Sequence, residues 1–391
     1  MRPFSHRIRS IEMSSTSASV NAVAEMRRAG VDVIDFGPGE PHFATPEHIK
    51  NAAIKAIYDN KTKYTAVSGT AELRDAIVAR HRRDFGSKYT AEEVIACPGG
   101  KYSLFIAMQI LVDAGDEVIV PTPSWVSFKE MVHFAGGRCV FVDTTADDFR
   151  LTPEDIRRAL TPRTKVMILN FPNNPSGAVM DGGTLERILE IAAQHDIWVL
   201  SDECYVYITF SGNPVSAGQF GEYSDNVVIV GSLSKTYAMT GWRVGYALGP
   251  SSVIQAMQCL QSQEVSCACS VSQAAGIAAL TGSQDCIEHM RKDYSRLSDI
   301  AQEGLRGLPG IHTTRPGGAF YLFPDISEQL RLRNLQSANQ WAQMLLEKHA
   351  VVVVPGEGFG SSHHVRLAYC VSEAALMRGL QKIRDFCSTG P

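Results

Sequence analysis

No apolar run in this chain approaches the roughly 18 residues that a membrane-crossing helix needs, which excludes helical membrane proteins. Charge of one sign is also scarce. The net charge is −4, and no Lys/Arg-rich run offers the basic surface that nucleic acid or an anionic membrane would require. The N-terminal residues Met1-Arg2-Pro3-Phe4-Ser5-His6-Arg7 are basic but have no apolar stretch behind them, so no secretory signal is expected. Metal-binding spacing is missing as well. The nine cysteines are odd in number and never fall at Cys-x-x-Cys intervals; Cys267-Ala268-Cys269 is too tight for a zinc knuckle. His363-His364 is the only histidine pair, and no third ligand lies near it. The cysteines therefore read as free thiols of a reducing cytoplasm, most of them buried, and no metal is expected. Repeats and low-complexity tracts are absent, and the small-residue patch Ser14–Ser19 reads as a loop.

What is present is an ordinary globular composition, 45% hydrophobic and 20% charged, in 391 residues, enough for two domains. Short apolar runs alternate with helical patterns through the middle of the chain. They include Glu117–Val120, Cys139–Asp143, Lys165–Asn170, Ile197–Asp202, Val227–Val230 and Val244–Leu248. Near-continuous apolar strands between helices imply an α/β fold with a mainly parallel sheet covered on both faces. Ligands of such sheets bind beyond the C-terminal strand ends, and Asn170, Asp202 and Ser232 all fall where apolar runs turn polar. From about Cys286 the pattern changes to a long polar helix through Gly304, the strand Phe320–Phe323, a helix over Ser337–Lys348, and strands at Val351–Val354 and Val365–Tyr369. This predicts a second, smaller α+β domain.

The densest chemistry lies at Ser232-Leu233-Ser234-Lys235-Thr236-Tyr237-Ala238-Met239-Thr240-Gly241-Trp242-Arg243. A single lysine at a strand end is suited to form a Schiff base with an aldehyde, while the nearby serine and arginine suit a phosphate. Pyridoxal phosphate carries both groups. In Asp202-Glu203-Cys204-Tyr205, a carboxylate facing a pyridine nitrogen would keep it protonated, and Tyr205 is placed to bond the ring's phenolate oxygen. The alternative for Asp202 is a helix cap. Asn174 in Asn173-Asn174-Pro175-Ser176-Gly177 is a second donor to that oxygen or part of a turn. Gly99-Gly100-Lys101 opens a helix whose amides can face a phosphate, or is a tight turn. Trp125 either stacks on the pyridine face or fills the core.

Together these segments resemble the class-I, fold-type-I pyridoxal-phosphate aminotransferases, and within them the bacterial branch of the aspartate aminotransferase subfamily. The resemblance runs from Gly39-Glu40-Pro41 through Thr62-Lys63-Tyr64, Pro123-Ser124-Trp125 and Ser201-Asp202-Glu203 to Val354-Pro355-Gly356 and Val365-Arg366-Leu367. It implies a large domain over residues 46–290 with a seven-stranded sheet, and a small domain made of residues 1–45 and 291–391. It implies that Lys235 is the Schiff-base lysine and proton shuttle, and that Asp202, Tyr205 and Asn174 bind the pyridine ring. Arg243, Ser232 and the Gly100-Lys101 backbone fall on the phosphate site. Tyr64 falls where the family reaches the phosphate of a neighbouring subunit, implying a homodimer with shared sites. Arg366 falls on the arginine that grips the substrate α-carboxylate, with Gly39 beside it. Substrates would be an amino acid and a 2-oxo acid, 2-oxoglutarate among them, in a ping-pong reaction.

Lys101 matches a lysine that faces the distal carboxylate in bacterial aspartate and prephenate transaminases, or it is a solvated lysine at a helix start. Against an acidic donor stand Glu12, where that branch carries a basic residue, and Glu264 in Glu264-Val265-Ser266 beside the pocket. Aspartate or another acidic donor is the first expectation; aromatic, neutral or basic amino acids, or prephenate, are the alternatives. A lyase or decarboxylase of the same fold would share the cofactor residues. A regulator of this fold would need a DNA-binding domain, for which Ser5 to Gly39 leaves no room.

Overall fold

The computed structural model describes residues 5–9, 11, 20–210 and 212–388; Glu12 and the Ser14–Ser19 patch lie outside them. In chain order the strands are β1 (Ile34–Asp35), β2 (Val94–Cys97), β3 (Glu117–Thr122), β4 (Arg138–Asp143), β5 (Thr164–Asn170), β6 (Trp198–Asp202), β7 (Val227–Ser232), β8 (Gly245–Leu248), β9 (Tyr321–Leu322), β10 (Val351–Val352), β11 (Val354–Pro355) and β12 (Val365–Ala368). Seven of them form one sheet in the order β2-β8-β7-β6-β5-β3-β4. The sheet is parallel except for β8, which runs antiparallel to both β2 and β7. The reversal follows from the short link between β7 and β8. Only Leu233–Val244 separates them, and this segment carries the short helix Leu233–Thr236 in place of a full crossover.

Helices bury both faces, so the inner strands are apolar throughout, as β2, β5 and β6 show in sequence. β4 departs from that expectation. It is the sheet edge, and Phe141 is more than half exposed there. The long apolar set on one side includes Ile119, Met167, Val199 and Ile229; the other includes Val118, Ile168, Leu200 and Val228.

A second core forms around the helix Asp285–Leu305, which buries Ile287, Met290, Tyr294, Leu297, Ala301 and Leu305 at three- and four-residue steps. Val351–Val354 is not the single strand its sequence suggests. β10 pairs in parallel with β1, whereas β11 joins an antiparallel sheet with β12 and β9. The chain turns at Val353 to serve two sheets. Nor are the cysteines mostly buried: Cys97, Cys370 and Cys387 are, Cys259 and Cys269 are exposed, and four are intermediate. All nine are free thiols.

The β1–β10 pairing matters most for function. Phe36 N donates to Val352 O at 3.0 Å and Ala368 N to Phe36 O at 2.9 Å, fixing where Gly37–Gly39 leave the small sheet. The Phe36 ring is fully buried against Gly379, where any Cβ would collide with it. Phe36→Ala is expected to destabilise the protein by about 3–5 kcal/mol, read as a lowered denaturation midpoint. A loss below about 1 kcal/mol would show that this ring does not anchor the segment.

Candidate active site

Register brings the polar strand ends together. Asn170 at the end of β5 lies opposite Asp202 at the end of β6, and β7 finishes beside them at Ser232. Asn170 Nδ2 donates to Asp202 O at 3.1 Å, while its Oδ1 accepts from Asn174 N at 3.1 Å. The Asp202 carboxylate is 4% exposed and accepts from Cys204 N at 3.2 Å. Burial pushes its pKa up to about 6, against the smaller lowering by hydrogen bonds from Cys204, and no cation counters it among the described residues. It is not a helix cap; a turn follows it.

Ser232 does cap a helix: its Oγ accepts from Ser234 N at 3.2 Å and starts Leu233–Thr236. That helix presents Lys235, whose Nζ donates to Gly39 O at 2.5 Å. Burial lowers the pKa of this ammonium, which favours the free amine. Arg366 enters from β12, 3% exposed. Its Nη1 donates to Asn174 Oδ1 at 3.0 Å and its Nη2 to Gly37 O at 2.5 Å, while Nε has no partner. Its guanidinium lies 4.7 Å from the Tyr321 ring centre and 5.0 Å from that of Phe359. No carboxylate meets it among the described residues. Tyr205 Oη lies 2.6 Å from Tyr321 Oη.

A corner suited to an anion adjoins these groups. Gly99 has φ +90°, and a Cβ there would lie 2.5 Å from Arg243 Nη2. Gly100 begins the helix Gly100–Leu111, and its N–H would be struck by any Cβ at Gly245. The first-turn amides, the Ser232 hydroxyl and the Arg243 guanidinium thus share one wall. Lys101 Nζ sits 4.8 Å from the Trp125 ring centre, and partial burial followed by the Arg243 charge lowers its pKa.

One cleft of about 470 Å³ is lined by Lys235, Asp202, Tyr205, Asn174, Arg366 and Gly39, and also by Gly100, Lys101, Trp125, Ser232 and Arg243. Of the positions singled out in the sequence, Tyr64 is absent from it and is 89% exposed on the surface. Glu264 also falls outside the cleft of its own chain. It is exposed and accepts from Tyr102 Oη at 2.5 Å. Gly37, Tyr321 and Gly245 belong to the site but went unread. Only the glycines offered a signal, at Gly37-Pro38-Gly39 and beside Arg243. No group of three or more metal-ligating side chains occurs among the described residues.

Residues 31–383 match the profile of the family described as aminotransferase class I and II. The chain belongs to that family. It is 42% identical to the aspartate/prephenate aminotransferase of Thermus thermophilus, the alignment covering 98% of each chain. It is 40% identical to the aspartate aminotransferase of Geobacillus stearothermophilus, over 97% of this chain and 98% of the relative. Among solved structures it superposes on the aspartate aminotransferase of Thermus thermophilus with maleate at a TM-score of 0.94. That match is 41% identical and covers 98% of this chain and 100% of the other. The enzyme is an aminotransferase of the fold-type-I architecture, as its motifs suggested.

The Asp202 carboxylate gives this aminotransferase a testable pH signature. In protein freed of small molecules, its folded pKa of about 6 lies above the ordinary 3.8. The folded state then binds the proton more tightly, so this stability is full below about pH 4 and lost as pH rises through about 6. Asp202→Asn keeps the side chain neutral. At about pH 7 it should be more stable than the wild type by about 3 kcal/mol, a displacement of roughly two pH units at 1.36 kcal/mol each. Denaturation midpoints measured across this range check it; a constant gap between the two proteins would refute it.

Proposed function

We propose that this aminotransferase uses pyridoxal phosphate to move an amino group between aspartate and a 2-oxo acid, 2-oxoglutarate among them, in a ping-pong reaction. The observation that carries this reading is one cleft holding a buried amine and, among the described residues, a buried carboxylate without a cation and a buried guanidinium without an anion. The cofactor and substrate would complete both unpaired charges. Asp202 would face the pyridine nitrogen, Tyr205 and Asn174 the ring oxygen, and Trp125 the ring face. Ser232, Arg243 and the amides at Gly99-Gly100 would take the phosphate, the Gly99 cradle having no room for a side chain. Once bound, the cofactor supplies an electron sink for the Cα–H bond that breaks.

The chain's own groups do the rest. Arg366 presents Nη2 and its unpartnered Nε as a planar fork for the α-carboxylate, which orients Cα–H toward Lys235. Lys235, kept partly as the free amine by burial, accepts the Cα proton and returns it. Ionised Asp202 holds a cation opposite it. Lys101 lines the same cleft beside Trp125 and would serve as a point charge for a distal carboxylate.

The names of the relatives, aspartate and aspartate/prephenate aminotransferases, support the same donor class. We read the exposed Tyr64 as completing a second copy's phosphate site in a homodimer. We also read residues 46–290 as the large domain and 1–45 with 291–391 as the small one; the β1–β10 pairing supports the grouping. Nine free thiols fit a cytoplasmic enzyme.

Aspartate with 2-oxoglutarate should yield oxaloacetate and glutamate. Lys235→Ala should lower turnover at least ~10³-fold, because nucleophile and proton shuttle go together. Turnover within tenfold of wild type would refute the assignment.

Lys101→Ala should lower kcat/KM for aspartate about 10–100-fold and spare neutral donors, the loss expected for one charge-assisted bond. Equal losses for aspartate and alanine would instead assign Lys101 to the phosphate corner.

A further inference from the structure

Behind the cleft, the helix Ala71–Phe85 buries a guanidinium that the reaction above leaves without a task. Arg80 is 6% exposed and partnered by side chains from three other segments. Its Nε donates to Asp84 Oδ2 one turn on and to Tyr207 Oη at 3.3 Å. Its Nη1 donates to Tyr237 Oη at 3.2 Å and to Gln284 Oε1. The partners close the net among themselves. Tyr207 Oη donates to Asp84 Oδ2 at 2.8 Å, and Tyr237 Oη to Gln284 Oε1 at 2.8 Å. Gln284 is pinned in turn by Ala279 O and Gly282 O, at 2.9 and 2.7 Å. The guanidinium also lies 4.7 Å from the Tyr207 ring centre. Around this net stand Arg83, bonded to Asp84 at 2.9 Å, together with Tyr246 and Cys286.

The two tyrosines are what make this net interesting. Tyr237 lies two residues after Lys235, and its N–H donates to Leu233 O at 3.1 Å, closing the short helix that carries the lysine. Tyr207 lies two residues after Tyr205 and ends the turn Cys204–Tyr207 that follows Asp202. One planar fork therefore grips the backs of two segments whose fronts present Lys235 and Tyr205 to the cleft. A buried ion pair is weak support for stability, since desolvation offsets its attraction; its better use is to fix geometry. Catalytic groups must be held to within about 0.5 Å, which neither a four-residue helix nor a turn achieves alone.

We propose that Arg80 is a positioning residue for the aminotransferase reaction, setting the placement of Lys235 through Tyr237 and of Tyr205 through Tyr207. The proposal rests on the reading of Lys235 as the acting amine. Arg80→Lys keeps the charge but loses the fork, so its effects report geometry and not net charge. In the cofactor-loaded enzyme, Arg80→Lys should lower kcat about 5–50-fold and leave KM for aspartate within about threefold, as expected of misplacement rather than lost binding. The visible band of the coloured enzyme should also titrate with an apparent pKa raised by roughly 0.5 or more, because a displaced Tyr205 donates more weakly to the ring oxygen.

Tyr237→Phe and Tyr207→Phe should shift both readouts in the same direction by smaller amounts, and combining either with Arg80→Lys should add little. Ile383→Ala in the second core serves as a destabilised comparator that leaves the titration at the wild-type value. If Arg80→Lys and Tyr237→Phe fold and keep wild-type kcat and titration, Arg80 is structural only and the proposal falls. Should Arg80→Lys fail to fold, Tyr237→Phe decides the matter by the same two readouts. A wild-type protein with neither visible band nor turnover would overturn the reading of the cleft itself, and this proposal with it.

Discussion

Two buried charges of opposite sign, each without a counter-charge among the described residues, govern this structure: the Asp202 carboxylate and the Arg366 guanidinium. Either would be costly in a protein built for stability alone, because an ion taken out of water needs a counter-charge or several hydrogen bonds. Asp202 has one backbone donor, and Arg366 has two neutral acceptors and two aromatic faces. What the fold withholds from them, a cationic ring and an anionic substrate can supply. The two charges leave the cleft electrostatically incomplete, and the proposed cofactor and substrate would complete it.

The architecture is arranged to keep that cost local. Parallel strands β5, β6 and β7 end in register, so Asn170, Asp202 and Ser232 reach one rim while apolar residues fill the sheet below. The antiparallel β8 returns the chain past Gly245, which lets the helix Gly100–Leu111 begin close against the strand. The opposite wall comes from the second core. β1, tied to β10, delivers Gly37 and Gly39, while β12 delivers Arg366, whose Nη2 donates to Gly37 O between them.

Much of this was legible in the residues. Asn170, Asp202 and Ser232 sit where apolar runs stop, so the strand pattern alone placed them on one rim. Arg366 is different: it lies in the middle of an apolar strand, and only its family context marked it. Tyr321 escaped notice because its role depends on meeting Tyr205 across 116 residues of chain, and pairings at that range leave no local pattern. The split of Val351–Val354 between two sheets was hidden for a similar reason. Four valines look alike in sequence, and only their partners distinguish them. Glu264, read as lying near the dimer-facing side of the pocket, is exposed in its own chain and accepts from Tyr102 Oη across 162 residues of sequence, a pairing that leaves no local pattern.

The protonation state of the cofactor's ring nitrogen tests the central claim most directly. Nuclear magnetic resonance of enzyme loaded with pyridoxal phosphate labelled at that nitrogen would report it across neutral and mildly alkaline pH. If the Asp202 carboxylate awaits a cation, the nitrogen stays protonated throughout that range, and Asp202→Asn leaves it neutral. A neutral ring nitrogen in the wild-type enzyme at about pH 7 would contradict the account, since the buried carboxylate would then lack the counter-charge that explains its place.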